Sequence, residues 1–386
     1  MKKNLKSAVT LMMALLFICV VFTGCGNAAG TEADTGTENN TEIKADAKTL
    51  TDDTGTEVDT GIEADAKTST DDTETVTKAS TDTATNYEAA DINIGSLKGP
   101  TSMGLVYLMD LADKGEAENN YTFTMAAAAD ELLPKLISGD LDIVLVPANV
   151  AGVLYNKTEG GISVIDINTL GVLYMVSGDD SIQSIKDLGG KTLYLTGKGT
   201  TPDYVLQYLL AENGLTTDDL TLEYKSEATE VAAILAENPD AIGLLPQPFV
   251  TAACMQNEAL SIVLDMTEEW AAVQGEGGSS LVTGVTVVRN EFLQQNIEAV
   301  AKFMEEHKES TDYANENVEE AAALVAARGI VEKAPVAAKA MPYCNIVYID
   351  SEDMKQALSG YLEVLYDADA SSVGGSLPAD DFYYIP

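Results

Sequence analysis

Few side chains in this 386-residue chain could make or break a covalent bond, and they do not assemble into a reaction centre. The cysteines are Cys19, Cys25, Cys254 and Cys344, and the one histidine is His307. No Ser-His-Asp arrangement, phosphate-cradling loop or zinc-ligand spacing joins them, and Gly197-Lys198-Gly199 is too short for a P-loop. What recurs is the chemistry of reversible binding. Short loops run straight into helix starts, rich in Gly, Thr, Ser and Lys at 98–102 and 197–202 and reading Pro-Ala-Asn at 147–149. There the unpaired N–H groups and the positive dipole end can hold a polar or anionic group without a buried lysine. Thr101, Ser102, Thr200 and Thr201 add hydroxyls at those positions.

The elements that must carry these loops alternate between strand and helix from Asp91 onward, the pattern of an α/β protein. Strands are expected at 92–97, 121–125 and 141–146. A helix should run from Met103 to about Ala112, Asp130 should cap a helix to about Ser138, and Pro147-Ala148-Asn149 should start another. The pattern restarts after a long apolar segment, 169–176. Strands follow at 191–196, 220–224 and 241–245, each ending in a helix start, the first with Pro202 at a first helical position and Gly214 as its stop. A strand at 281–288 reads as the return crossing. Helices are expected from Asn290 to about His307, from an Asn317/Glu320 cap pair to Gly329, and from Asp350 or Ser351 to about Tyr366. Parallel strand ends in such a fold face the ligand crevice.

The first 90 residues have a different character. Lys2, Lys3 and Lys6 precede an apolar run over residues 8–22, and Phe22-Thr23-Gly24-Cys25 places small residues ahead of a cysteine. The run is shorter than the roughly 20 residues needed to span a bilayer, which weighs against a transmembrane anchor. The pattern resembles a bacterial lipoprotein signal with its lipobox, and that resemblance implies removal of residues 1–24. It also implies lipidation of Cys25 by a diacylglycerol thioether, often with an acylated amine. From 26 to 90 the chain holds sixteen acidic residues against four lysines and almost no large apolar side chain. It repeats at a spacing of nineteen, as in Ala45-Asp46-Ala47-Lys48-Thr49 and again at 64–68. Such a stretch cannot bury enough surface to offset its ordering entropy and reads as a disordered, self-repelling stalk. The net charge of −40 makes nucleic acid a poor partner.

Residues 91–386 resemble the extracytoplasmic substrate-binding proteins of ABC importers, in the nitrate, sulfonate, taurine and thiamine-precursor group. The segments that carry the likeness are 94–101 (IGSLKGPT), 139–143 (GDLDI), 184–192 (SIKDLGGKT) and 241–248 (AIGLLPQP). The resemblance implies a type II periplasmic-binding-protein fold, with lobe I from 91–174 and 282–386, lobe II from 175–281, and two hinge crossings. It further implies a monomer without cofactor or metal that closes on a small molecule, presents it to a membrane permease, and sits on the outer face of the cell membrane. By the family pattern, the first-lobe contacts are Lys98, Gly99, Pro100, Thr101, Ser102, Ala127, Ala148 and Asn149. Those of the second lobe are Lys198, Gly199, Thr200, Thr201, Glu227 and Gln247.

Other readings stay open. Thr101, Asn149 and Thr201 could simply cap helices, and Lys98 and Lys198 could be solvated. Glu227, if it faces the crevice, would favour a cationic or donor group. Trp270 could stack on a flat ring or cover core, and Tyr343 is a weaker first-lobe candidate. His307 lies in a charged helical stretch and reads as a surface residue. Some proteins of this fold are enzymes of thiamine-pyrimidine or menaquinone synthesis, but the histidine, cysteine or acid constellations such chemistry needs are missing from the loops. A surface sensor or adhesin built on the same body is the third class.

Overall fold

Short β-branched runs bounded by Gly, Pro and Asn become strands, and the amphipathic stretches between them become helices. The computed structural model describes residues 87–386. The expected signal segment, Cys25 and the acidic repeats therefore lie outside the described residues. The strands are β1 (Asp91–Leu97), β2 (Asn120–Ala126), β3 (Ile143–Pro147), β4 (Ile162–Leu170), β5 (Leu173–Ser177), β6 (Thr192–Thr196), β7 (Thr221–Lys225), β8 (Ile242–Pro246), β9 (Ser261–Asp265), β10 (Val282–Arg289) and β11 (Ile346–Ile349). They form two sheets, ordered β2-β1-β3-β10-β4-β11 and β7-β6-β8-β5-β9. All of them lie within one compact unit.

Each sheet repeats one plan. A parallel trio (β2-β1-β3, β7-β6-β8) is followed by a strand of opposite sense that arrives from the other sheet, β10 in the first and β5 in the second. The passage from β4 to β5 takes two residues, Gly171 and Val172. Because β10 is antiparallel to both β3 and β4, β4 ends at the same edge as β1 and β3. Leu173, the first residue of β5, pairs with Pro246 at the carboxyl end of β8. So short a link joins the carboxyl edges of the two sheets, and their strand-end loops are apposed across the gap.

Gly171 is where this geometry is tightest. A Cβ there would lie 2.2 Å from Thr267 Oγ1 and 2.7 Å from Leu281 Cδ2, and the Asn345 side-chain amide donates to its carbonyl at 2.6 Å. Beside it, the fully buried Trp270 donates from Nε1 to the Ser279 carbonyl (3.0 Å) and packs against Tyr208 and Tyr361. Of the two readings for Trp270, the structure supports core cover.

The C-terminal helices Ile297–Glu316, Val318–Ala327 and Ala334–Ala340 pack on the first sheet, largely through the clusters around Phe303 and Met103. Several expectations are corrected here. The apolar segment 169–176 is not one element: it holds the end of β4 and most of β5, and the length of β4 and all of β11 were missed. The helix expected from Asn290 to His307 breaks at Asn296, whose side chain donates back to the Phe292 carbonyl, and a second helix starts at Ile297. Asn317 precedes the next helix without capping it, because its amide donates backward to Tyr313. In the alanine loop, Glu131 rather than Asp130 accepts the exposed amides, those of Ala127 and Ala128, each at 3.1 Å.

His307 is not at the surface. It is 0% exposed, with Nδ1 3.2 Å from Asp166 Oδ2. Asp166 also accepts from Thr286 Oγ1 at 2.7 Å, and Asn168 donates to that same Thr286 hydroxyl oxygen at 3.1 Å. Charged neighbours suggested a solvated site, yet Val300, Phe303, Met304, Ser310, Thr311 and Ala314 share the buried face of this helix with His307.

Asp166→Ala would strand the His307 and Thr286 donors in the interior. Urea unfolding at neutral pH is expected to show a loss of about 3 kcal/mol. A loss below about 1 kcal/mol would mean that the network carries little of the stability of the first sheet.

Candidate functional site

The loop after β1 is shaped by its own side chains. Gly99 has φ +148°, a value that favours glycine, and precedes the one-turn helix Pro100–Met103. Ser102 is fully buried, hydrogen bonded to the Leu97 carbonyl and 2.6 Å from the Ser96 hydroxyl. Thr101 is also buried and packs over the return strand, where a Cβ on Gly284 would meet Thr101 Cγ2 at 2.4 Å. Lys98 is exposed, and Gly99 and Pro100 are half-buried. Ala127 is exposed at the end of β2, while Ala148 is buried and Asn149 half-buried where the helix Ala148–Lys157 begins.

The matching loop after β6 is held by a carboxylate that sequence reasoning did not single out. Asp203, 2% exposed, accepts from the Gly199 amide (2.8 Å), from Gln207 Nε2 (2.9 Å) and from the Tyr224 hydroxyl (2.7 Å). Burial, together with this carboxylate, pushes the Tyr224 phenol up from its ordinary range. Thr200 is exposed and donates to the Gly197 carbonyl at 2.5 Å. The Lys198 ammonium lies 5.3 Å from the Tyr224 ring centre, and among the described ion pairs neither Lys98 nor Lys198 has a carboxylate partner. Each lobe thus brings one lysine without a salt bridge to the loop after its first parallel strand.

Two further candidates touch the C-terminal segment. The Asn149 amide donates to the Ser372 carbonyl at 3.3 Å, and Thr201 faces the buried phenol of Tyr361. Tyr204 donates to Asp369 at 3.0 Å. The helix Ser351–Ala368 and the turn after it therefore bridge the first-sheet and second-sheet helix starts. Glu227 is exposed and precedes the helix Ala228–Glu237 without capping it. Gln247 is 2% exposed, its Oε1 accepts from Thr251 Oγ1 at 2.8 Å, and its Nε2 has no partner.

A cavity lies elsewhere. A groove of about 900 Å³ runs along β9, walled by Tyr174, Thr251, Met255, Asp265, Glu268 and, from the C-terminal part of the chain, Lys339 and Tyr343. Of the site residues expected from the sequence none lines it, although Tyr343 was noted there as a weaker candidate. Because β9 and β11 are the outermost strands on the same flank, this groove is on the far side of the crossing strands from β2 and β7.

Residues 160–321 match the family described as NMT1/THI5 like. A Brucella abortus (strain 2308) protein named as a binding protein is 25% identical over 183 residues, 47% of this chain and 54% of that protein. The chain thus spans about half the length of the curated relatives it matches. An ABC transporter structure from Parabacteroides distasonis superposes with a TM-score of 0.63 at 23% identity, covering 76% of this chain and 98% of that one. The periplasmic aliphatic sulphonate binding protein SsuA from Escherichia coli gives 0.61 at 15% identity, covering 77% and 92%. At these identities the likeness is one of fold. The chain has the two-lobed α/β fold of the periplasmic binding proteins, as the sequence motifs implied.

Asp203→Ala would free the Gly199 amide and the Tyr224 hydroxyl together. The expected result is a stability loss of about 2 kcal/mol and faster amide exchange at 197–203, read by hydrogen-exchange mass spectrometry. Unchanged exchange there would remove Asp203 as the clamp of this loop.

Proposed function

We propose that this protein is the extracytoplasmic solute-binding component of an ABC importer, taking a small organic molecule or anion into the gap between its lobes and handing it to a membrane permease. What supports this reading is the two-residue link at 171–172, which joins the carboxyl edges of two like-built sheets. The neighbours of the same fold supply the precedent, since one is an ABC transporter and another a sulphonate-binding protein.

In this reading lobe I is 91–174 with 282–386, and lobe II is 175–281. The unpaired amides at the helix starts, with Lys98 and Lys198, receive the polar or anionic end of the solute. Thr101, Ser102 and Asp203 hold the loops in shape, while Thr200 and Gly199 contact the ligand. The exchange is one of binding and release, with no bond made or broken. The solute shifts the lobes toward a closed form by binding it more tightly than the open one. The charge of the whole chain opposes anions at long range, so the two lysines and the backbone donors must act locally. Lipidation of Cys25 tethers a monomeric body to the outer face of the membrane through the acidic linker.

Two measurements test this. A thermal-shift screen of the purified protein against alkanesulfonates, nitrate and pyrimidines is expected to find a ligand that adds about 2.7 kcal/mol at a hundredfold its Kd. Lys198→Ala and Thr200→Ala should each weaken that ligand about tenfold while leaving the unliganded protein as stable, and no response to any such solute would reject the importer role. In cells of the source organism, Cys25→Ser should abolish incorporation of labelled fatty acid and release the protein from the membrane; continued labelling would place the lipid elsewhere or nowhere.

A further inference from the structure

We propose that the groove along β9 is a second binding site, for a small organic cation with an ammonium group on an apolar body. It is separate from the gap between the strand-end loops, and its floor and rim differ in character. The floor is apolar, made by Val250, Cys254, Leu260, Ile262 and Val263, with Met255 left 43% exposed at its margin. At one end two tyrosines meet at a right angle, Tyr174 and Tyr343, with ring centres 6.2 Å apart, and the Tyr174 hydroxyl donates to the Tyr343 backbone carbonyl at 2.7 Å. Tyr343, 47% exposed, offers a cation an open ring face, backed by the buried Tyr174.

The rim sets the sign of the occupant. Glu258, Asp265 and Glu268 line it against the single Lys339, and among the described ion pairs none involves any of the four. Three carboxylates thus face one ammonium around the rim, an excess of negative charge. Behind the wall, Gln247 holds Thr251 in place through Oε1 and leaves a buried amide N–H₂ without an acceptor. The volume, about 900 Å³, suits a molecule of drug size rather than a metal ion, and no group of potential metal-ligating side chains is found among the described residues. The walls come from both ends of the fold, 174–268 and 339–343, so an occupant touches the second sheet and the C-terminal part of the chain at once.

Isothermal titration of the purified protein with 2-phenylethylammonium, beside the neutral 2-phenylethanol, tests the assignment. The ammonium should bind saturably and at least about tenfold more tightly than the alcohol. Glu268→Gln and Tyr343→Ala, both exposed positions, should each weaken it about fivefold or more; the Tyr174 bond survives the second change because it ends on backbone. Lys198→Ala should leave it unaltered. Equal binding of the alcohol, no binding at all, or full affinity in both groove variants would overturn the inference, as would loss of binding in Lys198→Ala alone. A protein that takes the ammonium as described but ignores every anionic solute would keep this site and lose the importer reading instead.

Discussion

The arrangement depends on a close approach of backbone at Gly171. A two-residue passage between sheets leaves no slack, so wherever β4 ends, β5 must begin beside it. With Thr267 and Leu281 pressed against the Cα of Gly171, only a residue without a side chain fits. From that one constraint follows the apposition of the two carboxyl edges, and from the apposition follows a gap bordered by helix starts on both sides. Asn345 pins the same carbonyl from the C-terminal part of the chain, so the pivot is gripped by three segments distant in sequence.

The loops after β1 and β6 are built by different means. The one after β1 is shaped by hydroxyls: Ser96, Ser102 and the Leu97 carbonyl form a buried knot, and Thr101 rests on Gly284. The one after β6 is organised by a single buried carboxylate that gathers an amide, a phenol and a glutamine. Both leave a lysine outside. Rigid loops with free charges at their tips lose little entropy when a solute arrives.

Much of this was legible in the chain. The alternation of apolar runs with Gly/Pro/Thr turns located seven of the strands to within a few residues, since parallel strands buried on both faces read as continuous Val/Ile/Leu segments. What failed had physical causes. β4 was overlooked because Asp166, Asn168 and Thr169 interrupt its apolar character; inside the fold Asp166 pairs with His307 and Thr286, Asn168 donates to Thr286, and Thr169 donates to Asn168. His307 itself was misread because Glu305, Glu306, Lys308 and Glu309 surround it in sequence, while the helical period that buries it was present but outweighed. The roles of Asn149 and Thr201 could not be seen at all, as their partners Ser372 and Tyr361 lie 223 and 160 residues away. The groove was invisible for the same reason, its two tyrosines being joined only by the fold.

The insertion of β10 between β3 and β4 has a consequence for how the chain becomes a protein. The second sheet is continuous in sequence from β5 to β9 and can assemble as soon as it exists. The first sheet cannot: its centre stays empty until residues 282–289 arrive, more than a hundred residues after β4, and its outer strand β11 arrives later still. High sequence separation of this kind slows assembly and prolongs the life of unpaired strand edges. The sheet that starts at β1 is therefore the last to be finished, and the chain must be kept from pairing wrongly until residues 282–349 have been made.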